Sequence, residues 1–237
     1  MTNRTADTSL LIYAKVAGFM YLFIIITSLL IGIFIDAELI VPGNDAATFN
    51  NIMANELLFR IGIASGLIVG ASIVVLALAL YVILKPVNKN LALLALLWRL
   101  AEAILGVVTV LIGFIVLLLL DVTVFTTEQL QALVGLFLDV RTAGIFIVTI
   151  FVSLGTIVFF YLFFKSRYIP RILAAWGIFS FSLALLYSFV NILFLPVAMI
   201  EFVYLIPGAL FEVLIGLWLL IKGVNVEQWE KRFLESI

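Results

Sequence analysis

Residues 91–120 read LALLALLWRLAEAILGVVTVLIGFIVLLLL and carry only two charges, Arg99 and Glu102. About 20 apolar residues in a helix cross the hydrocarbon layer of a bilayer, so this stretch is a membrane span and decides the fold class. Its backbone has to satisfy its own hydrogen bonds in lipid, which makes the span a helix. Ionisable groups at that depth are expensive and need partners, so Arg99 and Glu102 are also the first place to look for function.

The rest of the chain has the same character. Of its 237 residues, 66% are hydrophobic and 11% charged, with a mean hydropathy of +1.35. Soluble chains run at about 45–50% apolar and about 25% charged. Working outward from 91–120, apolar runs predict further spans at 11–35, 57–84, 141–165, 171–196 and 201–222. The first run is longer than the core of a signal peptide and ends in Asp36-Ala37-Glu38, so it reads as an uncleaved span. The expected fold is all-α: one polytopic membrane domain over 1–237, a bundle of six transmembrane helices with short outer amphipathic helices.

Charge is sorted between the connections. Segments 36–56 and 121–140 hold Asp36, Glu38, Asp45, Glu56, Asp121, Glu128 and Asp139, and no basic residue. Arg4, Lys15, Lys85, Lys89, Lys165, Arg167, Arg171, Lys222, Lys231 and Arg232 all fall on the opposite side of a six-span chain. Basic residues collect on the cytoplasmic face, which places both termini in the cytoplasm.

Asp45 followed by 46–53 reads as a capped helix leading into span two. Thr126-Thr127-Glu128 with Leu130, Leu133, Val134, Phe137 and Leu138 has the spacing of an amphipathic helix lying on the membrane surface. Trp229, Phe233 and Ile237 share one face of a short C-terminal amphipathic helix.

Several chemistries are excluded at once. The chain has no cysteine and no histidine, which removes disulfides, thiolate catalysis, and the commonest general base and metal ligand. No cofactor signature is present, and no basic tract suited to nucleic acid.

Small and polar residues form stripes. Gly62, Gly66 and Gly70 in span two make a face for close helix approach, within the chain or with a second copy in a homo-oligomer. Span three aligns Arg99, Glu102, Gly106, Thr109 and Gly113; span five aligns Trp176, Ser180, Ala184, Tyr187 and Asn191; span six aligns Glu201, Tyr204, Gly208, Glu212 and Gly216. At a rise of 1.5 Å per residue, Arg99 lies about 13 Å, Glu102 about 18 Å and Glu212 about 15 Å into the layer. The simplest inference pairs Arg99 with Glu212, with Glu102 joining them or reaching Arg60. Arg60 and Arg141 belong to the outer leaflet, where Glu56, Asp139, Glu201 and Tyr187 are at a similar level.

Lys85 to Leu93 running into Arg99-Leu100-Ala101-Glu102-Ala103 resembles the bacterial domain-of-unknown-function family numbered 4386. Ser166 to Arg171, Pro207 through Glu212, and Leu217 to Gly223 add to the resemblance, which spans nearly the whole chain. It implies a multi-span protein of a bacterial inner membrane, without an assigned activity. The family pattern implies a histidine near span four; here Arg141 to Ile145 has none, so a mechanism resting on it does not carry over.

Three uses fit these residues. The leading one is a cavity among membrane lipids that binds a lipid or small anionic amphiphile. Its head group would be held by Arg60, Arg99 or Arg141, with Glu102, Tyr187, Asn191, Glu201 and Glu212 around it. Arginine suits carboxylate or phosphate through its planar fork. The second use is a proton-coupled carrier in which Glu102 or Glu212 titrates. The third is a lipid-modifying enzyme with both carboxylates as acid and base, although no nucleophile or metal cluster accompanies them. A reporter active only in the cytoplasm is expected to work when fused after Ile237; a silent reporter on a well-expressed fusion refutes this topology.

Overall fold

In the computed structural model, residues 2–194 and 201–235 are described, with side chains from 9–194 and 205–234. It is 88% helical, and no strand occurs among the described residues. Helix α1 (Thr2–Ile31) runs through a π-helical turn (Gly32–Asp36) into the short α2 (Ala37–Leu39). Then come α3 (Asp45–Ala54), α4 (Glu56–Leu84), α5 (Lys89–Leu120) and α6 (Thr127–Ser166). Helices α7 (Arg171–Leu193), α8 (Glu201–Ile221) and α9 (Val226–Glu235) complete the chain. Five helices are long and apolar enough to cross a membrane, and α8 with α9, bent by 82°, gives a sixth candidate. The protein is an all-α polytopic membrane bundle.

Each long helix packs on the next, α1 on α4, α4 on α5, α5 on α6, α6 on α7 and α7 on α8, and α8 packs back on α1. The result is a closed ring. Short connections such as 85–88 and 167–170 force consecutive helices to run up and down. Glycine sets the approach distances. A Cβ on Gly18 of α1 would sit 2.7 Å from the carbonyl of Gly216 on α8, so this close approach needs glycine at position 18. On α4, Gly66 faces Val110, Gly70 faces Val107 and Gly62 faces Ile35. The glycine face is therefore used inside the chain.

Local chemistry fixes the helix starts. Asn88 accepts from the Leu91 amide at 2.9 Å to cap α5, and Thr126 with Gln129 forms a reciprocal capping box on α6. The cap of α3 is Asn44 rather than Asp45; its side chain accepts from Ala47 at 2.9 Å.

One sequence expectation is corrected. Residues 126–138 do not form a separate helix lying on the membrane, because α6 runs unbroken for 40 residues. At 1.5 Å per residue that is about 60 Å, roughly twice the hydrocarbon layer. Its projecting turns bury Leu130, Val134 and Leu138 in a cluster with Leu39, Phe49 and Ile52. The apolar stripe is real, but protein covers it instead of lipid.

Two apolar clusters fill the ring. One contains Phe59, Ile63, Val116 and Leu117 at the end carrying the acidic connections. The other contains Phe159, Phe160, Phe163, Phe211 and Leu219 towards the end carrying the basic connections. These are called the acidic and basic ends below.

Helix α9 closes the basic end. Trp229 is 7% exposed and stacks on Phe233 with centroids 5.0 Å apart. Its indole N–H donates to the Ile83 carbonyl at 3.0 Å, while Arg232 donates to Lys165 O at 3.3 Å. Both acceptors lie in the last turns of spanning helices, where carbonyls lack helical partners. Ile237, expected on the same face, lies outside the described residues. Trp229→Phe keeps the apolar contact and removes the donor, so it should cost about 1 kcal/mol, whereas Trp229→Ala should cost about 3 kcal/mol or more. Unfolding of the purified protein in mixed detergent micelles checks both; equal losses would remove the hydrogen bond from the account.

Candidate functional site

The polar centre lies between the two apolar clusters. Arg99 is 3% and Glu102 5% exposed, an unusual depth for either residue type. Arg99 Nη1 lies 2.8 Å from Glu102 Oε2, one turn along the same helix. The contact is ionic without an aligned hydrogen bond, since neither Arg99 Nε nor Glu102 Oε2 has a hydrogen-bond partner among the described residues. Arg99 Nη1 also donates, at a long 3.5 Å, to Thr156 Oγ1 on α6. Gly155 makes room for the arginine stem: a Cβ there would lie 2.8 Å from Arg99 Cγ.

Two further residues complete the cluster. Tyr21 on α1 is 3% exposed, and the charges of Arg99, Glu102 and Glu212 all act on it. Glu212 on α8 is half-buried and close enough for its charge to act on Arg99 and Glu102. It forms no ion pair and no hydrogen bond among the described residues. The expected Arg99–Glu212 pair is therefore not the one formed. Glu102 holds the arginine, because three residues along a helix bring two side chains to the same face.

Arg60 and Arg141 are also matched. Arg60 pairs with Glu56 at 2.6 Å on the surface of α4, which rules out the expected reach to Glu102. Arg141 on α6 grips Asp36 of the π turn through both carboxylate oxygens at 3.2 Å. Asp139, which the sequence placed near Arg141, points to the exterior instead. Beside the Arg141–Asp36 pair lies a cavity of about 120 Å³ lined by Gly62, Gly66, Thr109 and Gly113.

Tyr187 is buried on α7 with its ring edge against Phe146, and Asn191 donates to the Tyr187 carbonyl at 2.9 Å. Neither is seen bonded to Arg99, Glu102 or Glu212. The side chain of Glu201 lies outside the described residues. Buried Ser153 Oγ, Ser180 Oγ and Asn191 Oδ1 have no hydrogen-bond partner among the described residues. One turn towards the acidic end from Glu102 and Glu212, Gly106 and Gly208 each have room: a Cβ on either would meet no described atom within 4 Å.

Tyr21 and Thr156 were absent from the sequence-based set. A lone tyrosine or threonine in an apolar run has no signature of its own. Position 21 could have been found by depth alone, as the one phenol near mid-span in the first helix. No group of carboxylates that could hold a metal ion occurs among the described residues.

With this geometry in place, the comparisons can be read. Residues 16–223 match the family described as domain of unknown function DUF4386. The chain belongs to that family. No protein of curated function and no solved structure matches it. The match takes in both Arg99 and Glu212, and the family brings no activity with it.

If Glu102 is the counter-ion, Arg99→Met should destabilise the protein by about 3–5 kcal/mol by leaving a buried charge unmatched. Arg99→Met with Glu102→Leu should recover most of that loss, and Arg99→Met with Glu212→Leu should not. Unfolding in mixed micelles measures all of these; equal recovery in the two double variants would contradict the assignment.

Proposed function

We propose that this membrane protein is a proton-coupled carrier and that Glu212 is its proton-binding group. One observation carries the reading: among the described residues, each arginine in the membrane region already faces a carboxylate, and Glu212 on α8 is left without an ion pair. A carboxylate in hydrocarbon without a counter-ion is held by a proton or a cation, and such residues recur in proton relays of transport proteins. Tyr21 and Glu102 beside it are the groups among which a proton would be exchanged. The room at Gly106 and Gly208 supports access from the acidic end. The distribution of lysine and arginine supports placing the basic end on the cytoplasmic side of a bacterial inner membrane.

The same pairing weakens the anionic-amphiphile reading, because an anion at Arg60, Arg99 or Arg141 would have to displace an internal carboxylate. One observation still favours it in part: the glycine-lined cavity beside Arg141 has the volume for a short apolar group. A lipid-modifying enzyme draws no support from a metal-binding group among the described residues.

Reconstituted in liposomes that trap a pH reporter, with the potential clamped, the wild-type chain is expected to move protons down an imposed pH gradient. This holds alone or on addition of a cotransported solute from a panel of small metabolites. Glu212→Gln, which breaks no ion pair, is expected to fold normally and reduce the flux to that of empty liposomes. Flux equal to wild type in Glu212→Gln refutes the proposal.

A further inference from the structure

The basic end carries a groove with the opposite charge logic to the polar centre. It has a volume of about 660 Å³ and is lined by the α6–α7 corner, Arg167 to Arg171, and by Trp218 and Lys222 to Asn225. The two walls are tied together where the Asn225 amide donates to the Tyr168 carbonyl at 2.9 Å. Arg167 leaves α6 in the left-handed region at φ 60°, and Gly223 turns the chain out of α8 at φ 70°. These two turns bring Arg167 and Arg171 to one wall and Lys222 to the other.

We infer that this groove binds the phosphate of an anionic phospholipid, with Arg167, Arg171 and Lys222 on the phosphate and Trp218 beside the start of the acyl chains. Four observations converge on that ligand. First, the three cations have no ion-pair partner among the described residues, whereas the three membrane-region arginines are all neutralised internally. Second, the groove has no acidic residue in its lining, so nothing in it competes with an anion. Third, its depth is right: Arg167, Arg171 and Lys222 sit where α6, α7 and α8 end or begin, at the level of lipid head groups. Basic pockets between spanning helices at that level suit anionic head groups. Fourth, Trp218 supplies an amphipathic ring of the kind that settles at the membrane boundary.

The cations differ in what they offer. Arg171 is held with its guanidinium 5.2 Å above the Phe164 ring, which restrains the side chain while leaving its N–H edge free. Arginine matches two phosphate oxygens at once, and lysine acts as a point charge. A phosphate clamped between Arg171 on one wall and Lys222 on the other would bridge the α6–α7 corner to the end of α8. The bound lipid would then brace the same end that α9 closes.

The test uses the full chain in detergent, mixed with equal amounts of phosphatidylglycerol and phosphatidylcholine and observed by native mass spectrometry. Retention of phosphatidylglycerol is expected to exceed that of phosphatidylcholine by about tenfold. The combined variant Arg167→Gln, Arg171→Gln, Lys222→Gln should erase the preference, and Lys85→Gln with Lys89→Gln, at the same end but outside the groove, should keep it. Excess inorganic phosphate should leave the lipid bound. Equal retention of the two lipids, an unchanged preference in the triple variant, an equal loss in the Lys85/Lys89 variant, or displacement by inorganic phosphate each overturns the assignment. A second measurement needs no triple variant. Vesicles of phosphatidylglycerol brominated high on the acyl chain should quench tryptophan emission less in Trp218→Phe than in the wild type, and equal quenching counts against the site.

Discussion

Ionised side chains inside hydrocarbon have to cancel one another, and the Arg99–Glu102 contact meets that requirement within a single helix. An arginine alone at such depth costs about 3 kcal/mol or more, and separating a buried pair leaves the survivor uncompensated. Because the two groups are three residues apart on one helix, the contact needs no other helix to bring them together. Neighbouring helices then pack around a neutral unit. Gly155 of α6 gives way to the arginine stem, and Thr156 of the same turn takes a guanidinium N–H. Tyr21 and Glu212 bring α1 and α8 to the same level. Four of the six ring helices therefore meet at one polar layer, and apolar clusters fill the ring on either side of it.

The spans were readable from the sequence because hydrocarbon leaves the backbone only one arrangement, so a long apolar run becomes a helix whatever its neighbours are. The caps at Asn88 and Thr126 were equally local, and they mark where α5 and α6 begin. Pairing was not readable in the same way. Depth favoured Glu212 as the partner of Arg99, with Glu102 joining or reaching Arg60, and side-chain direction decides for Glu102 instead. Asp36 was missed as the partner of Arg141 for a related reason. The first span does not stop at Ile35 but continues through a π turn, which swings Asp36 inward onto α6 instead of leaving it in a loop. The stripe at Leu130, Val134 and Leu138 had the right period and the wrong solvent. Sequence spacing shows that a face is apolar, but not whether lipid or α3 covers it.

Closing the ring depends on residues with almost no side chain. Gly18 and Gly216 let α1 and α8 touch backbone to backbone, and without a hydrophobic driving force between helices in lipid, such close contact is a main source of attraction. The same economy appears on α4, where Gly66 and Gly70 receive valines from α5. Gly106 and Gly208 break the pattern, because they face room instead of a neighbour. Both sit one turn from a carboxylate of the polar layer and on the same side of it. Glycines that pack act as joints between helices, whereas a Cβ on Gly106 or Gly208 would meet no described atom within 4 Å, so these two make no such joint.

The charges divide into two populations that obey different rules. Among the described residues, Arg60, Arg99 and Arg141 each have an acid and Glu212 is left without an ion pair, whereas at the basic end Arg167, Arg171 and Lys222 have no ion-pair partner. Water can stabilise the second group without help, so those cations are not forced to pair, and their convergence on one groove is not required by the fold. The first group had no such freedom, which is why its pairings follow from energetics alone and carry no information about function. Functional information lies in what the pairing leaves behind. Among the described residues, that remainder is a carboxylate at Glu212 and a group of cations beside Trp218, at different levels of the bundle.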